Sequence, residues 1–288
     1  MLRAPLRLEP EPIPADCLAE FGRIVESWFG LAQPRRNPLT LERRFRAALS
    51  ASGHTDPREF VRELGRAGPD SPLSAIVAEL VPNRETSFFR DVEQLQAFVQ
   101  ALHVRQETFT GEPLRILSAG CSTGEEVYSL AMLLLDNLHL FWGRPIEVHG
   151  IDISEKALER ARSGLYGPSA IAKAGPGPQD WQNRYFRLTR DGYLARPLLR
   201  SCVSFRRANL VDPDSLARLG EFDAIVCRNV LIYFDPPALE QTVERLMSRL
   251  RPGGILLLGH AETGFVTHFD HLRHRSGDNV WFVREEVP

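Results

Sequence analysis

From Leu114 onward the chain repeats one unit: a short apolar run, a glycine or acidic residue at its end, then a helix-length amphipathic stretch. Leu114 to Ser118 is the first run. It leads through Ala119-Gly120-Cys121-Ser122-Thr123-Gly124-Glu125-Glu126 into a helical stretch from Val127 to Leu138. Ile146 to Ile151, closed by Asp152, is the second; Ser154 is placed to cap the next helix, with Glu155 in its first turn and Gly164 near its end. Val203 to Arg206 and Phe222 to Cys227 supply the third and fourth. Pro236-Pro237 opens a helix to about Leu250, and Arg251-Pro252-Gly253-Gly254 turns the chain. Ile255 to Leu258 is apolar throughout, as a strand covered on both faces must be. Two more strands, around Leu272 and from Val280 to Val283, are joined near Gly277-Asp278. Strands alternating with helices predict an α/β fold with a doubly wound parallel sheet. Tyr166 to Ser201 breaks the rhythm: after Gly175-Pro176-Gly177-Pro178 come two short runs, Tyr185 to Leu188 and Gly192 to Leu194, flanking Arg190-Asp191. A small antiparallel β insert is expected there, with a helix over Gln179 to Phe186 as the alternative.

The chain before Val81 carries a different signal. Leu18, Phe21, Ile24, Val25 and Trp28 fall at helical spacing, and three further helices are expected around residues 39–49, 60–64 (starting at Asp56-Pro57) and 73–80. The division read from this is a disordered lead-in over 1–14, an all-α domain over 15–81 and the sheet domain over 82–288, with its β insert at about 166–201. Hydrophobic residues make up 43% and charged residues 25%, an ordinary globular composition, and no apolar run is long enough to span a membrane. A net charge of −2 provides no general attraction for nucleic acid or an anionic membrane. Locally, Arg35, Arg36, Arg43, Arg44 and Arg46 form a basic cluster. Cys17, Cys121, Cys202 and Cys227 show no metal-ligand spacing, and free thiols in a reducing cytoplasm are expected.

Three places carry chemistry. The strand–turn–helix at Ile116 to Val127 uses Gly120 and Gly124 to turn tightly and bring backbone close to a ligand at a helix N-terminus. Glu125 and Glu126 sit where a phosphate would be repelled, which favours a ligand with positive or hydroxyl groups. Asp152, closing the second strand, is placed to accept hydrogen bonds from ribose hydroxyls; helix capping is its alternative role. Asn229 and Tyr233 lie at the crevice edge after the fourth strand. Val230 and Leu231 stand where amine methyltransferases often carry two prolines, so an exocyclic amine acceptor is disfavoured. Phe88 and Phe89, between Thr86 and Arg90, form either a lid or a helix anchoring the helical domain to the sheet. His260 and Glu262 read as a hydrogen-bonded strand end in preference to an acid/base pair.

Several blocks taken together bring a family into view: Glu85-Thr86-Ser87-Phe88-Phe89-Arg90-Asp91, Ser118 to Glu126, Asp152-Ile153 with Ala161 to Tyr166, Arg184-Tyr185-Phe186, Asn209-Leu210, Phe222 to Phe234, and Gly259-His260-Ala261-Glu262. In this the chain resembles the CheR-type chemotaxis receptor methyltransferases. The resemblance implies a Rossmann-like sheet binding S-adenosylmethionine, which leaves as S-adenosylhomocysteine, with no metal. It implies methylation of glutamate carboxylates on the cytoplasmic domain of a methyl-accepting chemoreceptor. It places Thr86, Arg90, Glu125 or Glu126, Asp152, Asn209, Leu210, Asn229 and Val230 around the cofactor, with Arg90 and Tyr233 nearest the transferred methyl. Arg84 departs from the family's usual Asn or Gly. The short stretch from Arg187 to Arg200 implies independence from a receptor's C-terminal tether. A methyltransferase for small molecules or nucleic acids and a non-catalytic S-adenosylmethionine sensor are the competing readings.

Overall fold

The computed structural model describes residues 11–32, 37–80, 85–108 and 113–285. The chain divides into two compact units, Met1–Val81 and Pro82–Pro288. Most of the lead-in, together with Arg35, Arg36 and Arg84, lies outside the described residues.

In the first unit the four expected helices appear as α1 (Ala15–Phe29), α2 (Pro38–Ala51), α3 (Pro57–Arg66) and α4 (Pro72–Leu80). Their starts follow local chemistry. Asn37 accepts from Thr40 N–H and Asp56 from Arg58 N–H, each with proline at the first helical position, where no N–H is missed. The apolar stripes converge on Phe21, Phe45 and Phe60, all fully buried, with edge-to-face contacts of 5.2 and 5.5 Å onto Phe45. The basic cluster is less free than its sequence implies, because Arg46 is held by Glu42 at 2.7 Å.

The second unit holds a seven-stranded sheet in the order β6-β2-β1-β7-β8-β10-β9. The strands are β1 (Leu114–Ala119), β2 (Ile146–Asp152), β6 (Val203–Arg207), β7 (Phe222–Cys227), β8 (Leu250–Leu258), β9 (Arg273–Ser276) and β10 (Asn279–Val283). The first five run parallel; β10 pairs antiparallel with β8, and β9 antiparallel with β10. The chain leaves β1 toward β2 and β6, then returns to β7 on the other side of β1. Right-handed crossovers therefore place the early and late helices on opposite faces, and the reversal opens a crevice at the carboxyl ends of β1 and β7. The crossover helices are α6 (Glu125–Asp136), α7 (Glu155–Ser163) and α8 (Pro236–Ser248), and α5 (Val92–Arg105) precedes β1. Ser154 caps α7 through Ala157 N–H, and Gly164 ends it in the left-handed conformation.

Two expectations are corrected, and the β insert is borne out. Arg251 to Gly254 does not end a connection. It is an excursion inside β8, where pairing with β7 jumps from Phe222↔Leu250 to Ala224↔Ile255. The strand expected around Leu272 begins one residue later, at Arg273. The insert contains both of the structures weighed for it. A three-stranded antiparallel sheet, β3 (Leu165–Tyr166), β5 (Gly192–Ala195) and β4 (Phe186–Thr189), lies beside a short helix, Trp181–Tyr185.

Phe88 and Phe89 form neither a lid nor a helix. They sit in a turn before α5, fully buried. Phe88 packs on Tyr166, Trp181 and Phe186 at 4.8, 5.3 and 5.5 Å, and Phe89 on Trp181 at 5.0 Å. Phe89 N–H is satisfied by Ser129 Oγ on α6 at 2.9 Å. The turn before Arg90 is thus clamped between α6 and the insert.

Candidate functional site

The crevice residues arrive from consecutive strand ends. After β1, the N–H groups of Gly120 and Cys121 both donate to Ile151 carbonyl oxygen, at 2.8 and 2.9 Å. Ser122 N–H donates to Asp152 Oδ2 at 2.8 Å, and Ser154 N–H to Oδ1 at 2.9 Å. Asp152 does not cap α7, a role that Ser154 fills; its carboxylate holds the turn after β1 against the end of β2. Gly120 and Gly124 have φ of +80° and +93°, as a tight turn requires. On the side where a Cβ would stand, each glycine faces a neighbouring side chain. A Cβ on Gly120 meets Val230 Cγ2 at 2.5 Å, and one on Gly124 meets Ala161 Cβ at 2.7 Å. Both glycines admit neighbouring side chains.

The two glutamates take different environments. Glu125 is buried and accepts Thr123 Oγ1–H at 2.6 Å. Burial raises its carboxyl above the ordinary value of 4.5, against the lowering hydrogen bonds from Thr123 and its own backbone N–H. Glu126 faces the crevice side. It accepts Ser118 Oγ–H at 2.9 Å and pairs with Arg228 at 3.3 Å. Burial first, then the carboxylates of Asp152, Glu126 and Glu125, push the Cys121 thiol well up. All three acids thus surround the turn, a field suited to a sulfonium or ammonium cation and hostile to phosphate. This donor set fits S-adenosylmethionine.

Between 4.5 and its raised value, Glu125 holds a proton in the folded chain that the unfolded chain has lost. Its contribution to stability is therefore greatest below that window and declines as pH rises through it. Glu125→Gln is expected to raise the melting temperature at about pH 7.5, to give no gain at about pH 4, and to weaken cofactor binding. Paired thermal melts with calorimetry check this; a melting temperature lowered at both pH values contradicts it.

Of the remaining predicted residues, Thr86 and Arg90 are half-buried in the segment leading into α5, and Arg90 Nη1 donates to Glu85 carbonyl oxygen at 3.3 Å. Asn209 follows β6; its Oδ1 accepts Val211 N–H at 3.2 Å, and Leu210 beside it is buried. Asn229 has a left-handed φ of +59° after β7, and Tyr233 ends a 3₁₀ turn, Leu231–Tyr233. His260 is exposed.

Two side chains outside the predicted set organise the site. Arg228, with a side chain 1% exposed, donates to Arg90 carbonyl oxygen at 2.8 Å and pairs with Asp91 at 3.0 Å as well as Glu126. Its Nε is buried without a hydrogen-bond partner among the described residues. Glu262 is fully buried and accepts four backbone N–H groups, from Gly259, Asn229, Val230 and Leu231, at 2.7 to 3.0 Å. Burial raises its carboxyl and those hydrogen bonds lower it, with burial larger. The signals were present in sequence: an arginine directly after a strand that is apolar but for Asp223, and a glutamate three residues beyond the glycine closing another.

A doubly wound sheet with an acidic crevice at its switch point defines the structural class of S-adenosylmethionine-dependent methyltransferases. Within that class, a family model described as "CheR methyltransferase, SAM binding domain" matches residues 84–280. The chain belongs to the CheR methyltransferase family. It is 36% identical over 251 residues to the "Probable biofilm formation methyltransferase WspC" of Pseudomonas aeruginosa, covering 86% of this chain and 57% of that protein. It is 33% identical over 245 residues to "Chemotaxis protein methyltransferase 2" of Vibrio cholerae, covering 82% and 83%. It is 30% identical over 263 residues to the "Chemotaxis protein methyltransferase" of Vibrio parahaemolyticus, covering 90% and 94%. The chain spans 57% and 62% of the WspC proteins of P. aeruginosa and Pseudomonas putida. Among the described residues no group of three metal-ligating side chains occurs, and no helix is long and apolar enough to cross a membrane.

Proposed function

We propose that this protein methylates glutamate side chains on the cytoplasmic domain of a methyl-accepting chemoreceptor, using S-adenosylmethionine. The observation that carries the reading is the placing of three carboxylates beside the turn after β1, Asp152 bonded to Ser122, Glu125 to Thr123 and Glu126 to Ser118, in a chain of the CheR family. We place the activity in the cytoplasm, without metal, nucleic acid or membrane insertion. The helical unit, with exposed Arg43, is the proposed receptor-facing domain, and the sheet unit the methyl-transfer domain.

The chemistry asks little proton transfer of the chain. Bound S-adenosylmethionine supplies an electrophilic methyl group. A glutamate, with a reference pKa of about 4.3, is already an anion at neutral pH and needs no general base. The residues' work is orientation, since in-line geometry supplies most of what such a transfer needs. Arg90 holds one carboxylate oxygen by a charge-assisted hydrogen bond and leaves the other free to attack. Tyr233 donates its phenol hydroxyl to the same group. Asp152, Asn209 and Leu210, Thr86, and Asn229 with Val230 are assigned to the cofactor. The β4–β5 connection is a tight turn at Arg190-Asp191, which supports action without a receptor tether.

Tritiated methyl transfer to membranes containing chemoreceptors tests this. Counts released as methanol in alkali identify methyl esters, and a receptor lacking its C-terminal tether is expected to be labelled equally. Arg90→Ala is expected to lower both transfer and cofactor affinity. Tyr233→Phe should lower transfer about tenfold or more while sparing affinity, in line with the contribution of one positioned donor. Alkali-stable counts, on nucleic acid or a small molecule, replace the receptor reading. Cofactor binding with no transfer to any acceptor leaves the sensor.

A further inference from the structure

Glu262 takes no part in the proposed methyl transfer, yet no other carboxylate among the described residues accepts more backbone N–H groups. Its Oε2 takes Gly259 and Asn229, at 2.7 and 3.0 Å; its Oε1 takes Val230 and Leu231, at 2.7 and 2.8 Å. Three of these donors are consecutive residues of the loop after β7. That loop holds Asn229 in a left-handed conformation and runs directly into the turn that ends at Tyr233. Tyr233 N–H itself bonds to Val230 carbonyl oxygen at 3.2 Å. On its other side Val230 fills the space beside Gly120, the hinge of the turn after β1. A β-strand end cannot satisfy three successive N–H groups of a reversing loop by itself, because they converge on one point. A single anionic side chain at that point can.

We propose that Glu262 is a positioning residue for methyl transfer: its carboxylate, seated in the N–H groups of Gly259, Asn229, Val230 and Leu231, fixes the loop that presents Asn229, Val230 and Tyr233 to the crevice. This rests on the methyltransferase reading above. The geometry makes the role specific to a carboxylate. Glutamine has the same shape, but its NH₂ group must face one of the two N–H pairs, so two donors always lose their acceptor. Aspartate is one methylene too short to reach from the same backbone position.

Glu262→Gln tests the proposal, with Asp223→Asn as control. Asp223 is also a fully buried carboxylate, held by Arg115 N–H and Arg251 at 2.8 Å each, but it stands near the start of β7, away from the crevice. Three readouts are compared: the melting temperature, kcat and KM for tritiated methyl transfer, and backbone amide exchange at residues 229–231 and 259. Glu262→Gln is expected to lower kcat at least tenfold, by more than it changes KM for the receptor, and to speed exchange at all four amides. Asp223→Asn should lower the melting temperature at least as much and leave kcat within twofold. Where Glu262→Gln does not fold, Gly259→Ala carries the test, since its Cβ meets Oε2 at 2.5 Å and disturbs the seat while keeping the carboxylate; a smaller fall in kcat is expected. A kcat within twofold of wild type together with unchanged exchange at the four amides overturns the proposal. If the wild-type chain transfers no methyl group, the proposed function fails, and the exchange data still decide whether Glu262 fixes the loop.

Discussion

Arg228→Met is expected to cost about 3 kcal/mol of stability, the lower end of what breaking a buried ion pair costs. The lower end applies because the partners are not equally enclosed. The Asp91 and Glu126 side chains are 49% and 16% exposed against 1% for Arg228, so water can recover part of what the guanidinium supplied. The effect on transfer should be larger than the effect on folding. Arg228 bonds to the carbonyl oxygen of Arg90 itself, and the same guanidinium reaches Glu126 on α6. Without it the Arg90 turn is tied to the crevice from one side only. A displacement near 1 Å in an orienting group costs on the order of 10²-fold in rate. Arg228→Lys is expected to recover little, because one ammonium cannot serve three acceptors in a fixed plane. Denaturant unfolding beside methyl transfer checks both parts. Wild-type transfer in a destabilised Arg228→Met protein would separate the guanidinium from the site.

Gly120→Ala is the second large effect. The substitution meets two separate obstacles. At φ of +80° an L-residue loses roughly 1–2 kcal/mol. The added Cβ also falls 2.5 Å from Val230 Cγ2, and overpacking of this kind typically costs about 1–3 kcal/mol. Either the turn after β1 or the loop carrying Val230 must retreat, and both line the crevice, so binding of S-adenosylhomocysteine should weaken at least tenfold. Adding Val230→Ala is expected to return the steric part and leave the backbone part. A double-mutant cycle then shows a favourable coupling energy of about 1 kcal/mol or more. Strict additivity would mean that the two side chains do not meet.

The sequence was most legible where one local rule sufficed. Ser154 before Glu155, Asp56 before Pro57 and the apolar run from Phe222 to Cys227 each fixed an element to within a residue. It misled where two segments share a job. Arg251 to Gly254 has the composition of a turn, and only the neighbouring strand makes it a bulge inside β8. Gly120 and Gly124 have a second task that nothing local announces, to leave room for Val230 and Ala161 beside the turn. Arg228 and Glu262 escaped notice as organisers for the same reason. Their partners lie far off in sequence, at Arg90, Asp91 and Glu126 for the one and at residues 229–231 for the other.

The herringbone of rings joining Phe88 and Phe89 to Tyr166, Trp181 and Phe186 makes the insert a foundation for the turn that carries Arg90. Excising residues 166–201 to obtain a minimal enzyme would remove the bedding beneath Arg90 along with the outer hairpin. Conversely, Trp181 is a built-in optical gauge: its emission should register any disturbance of that bedding long before the main sheet loosens.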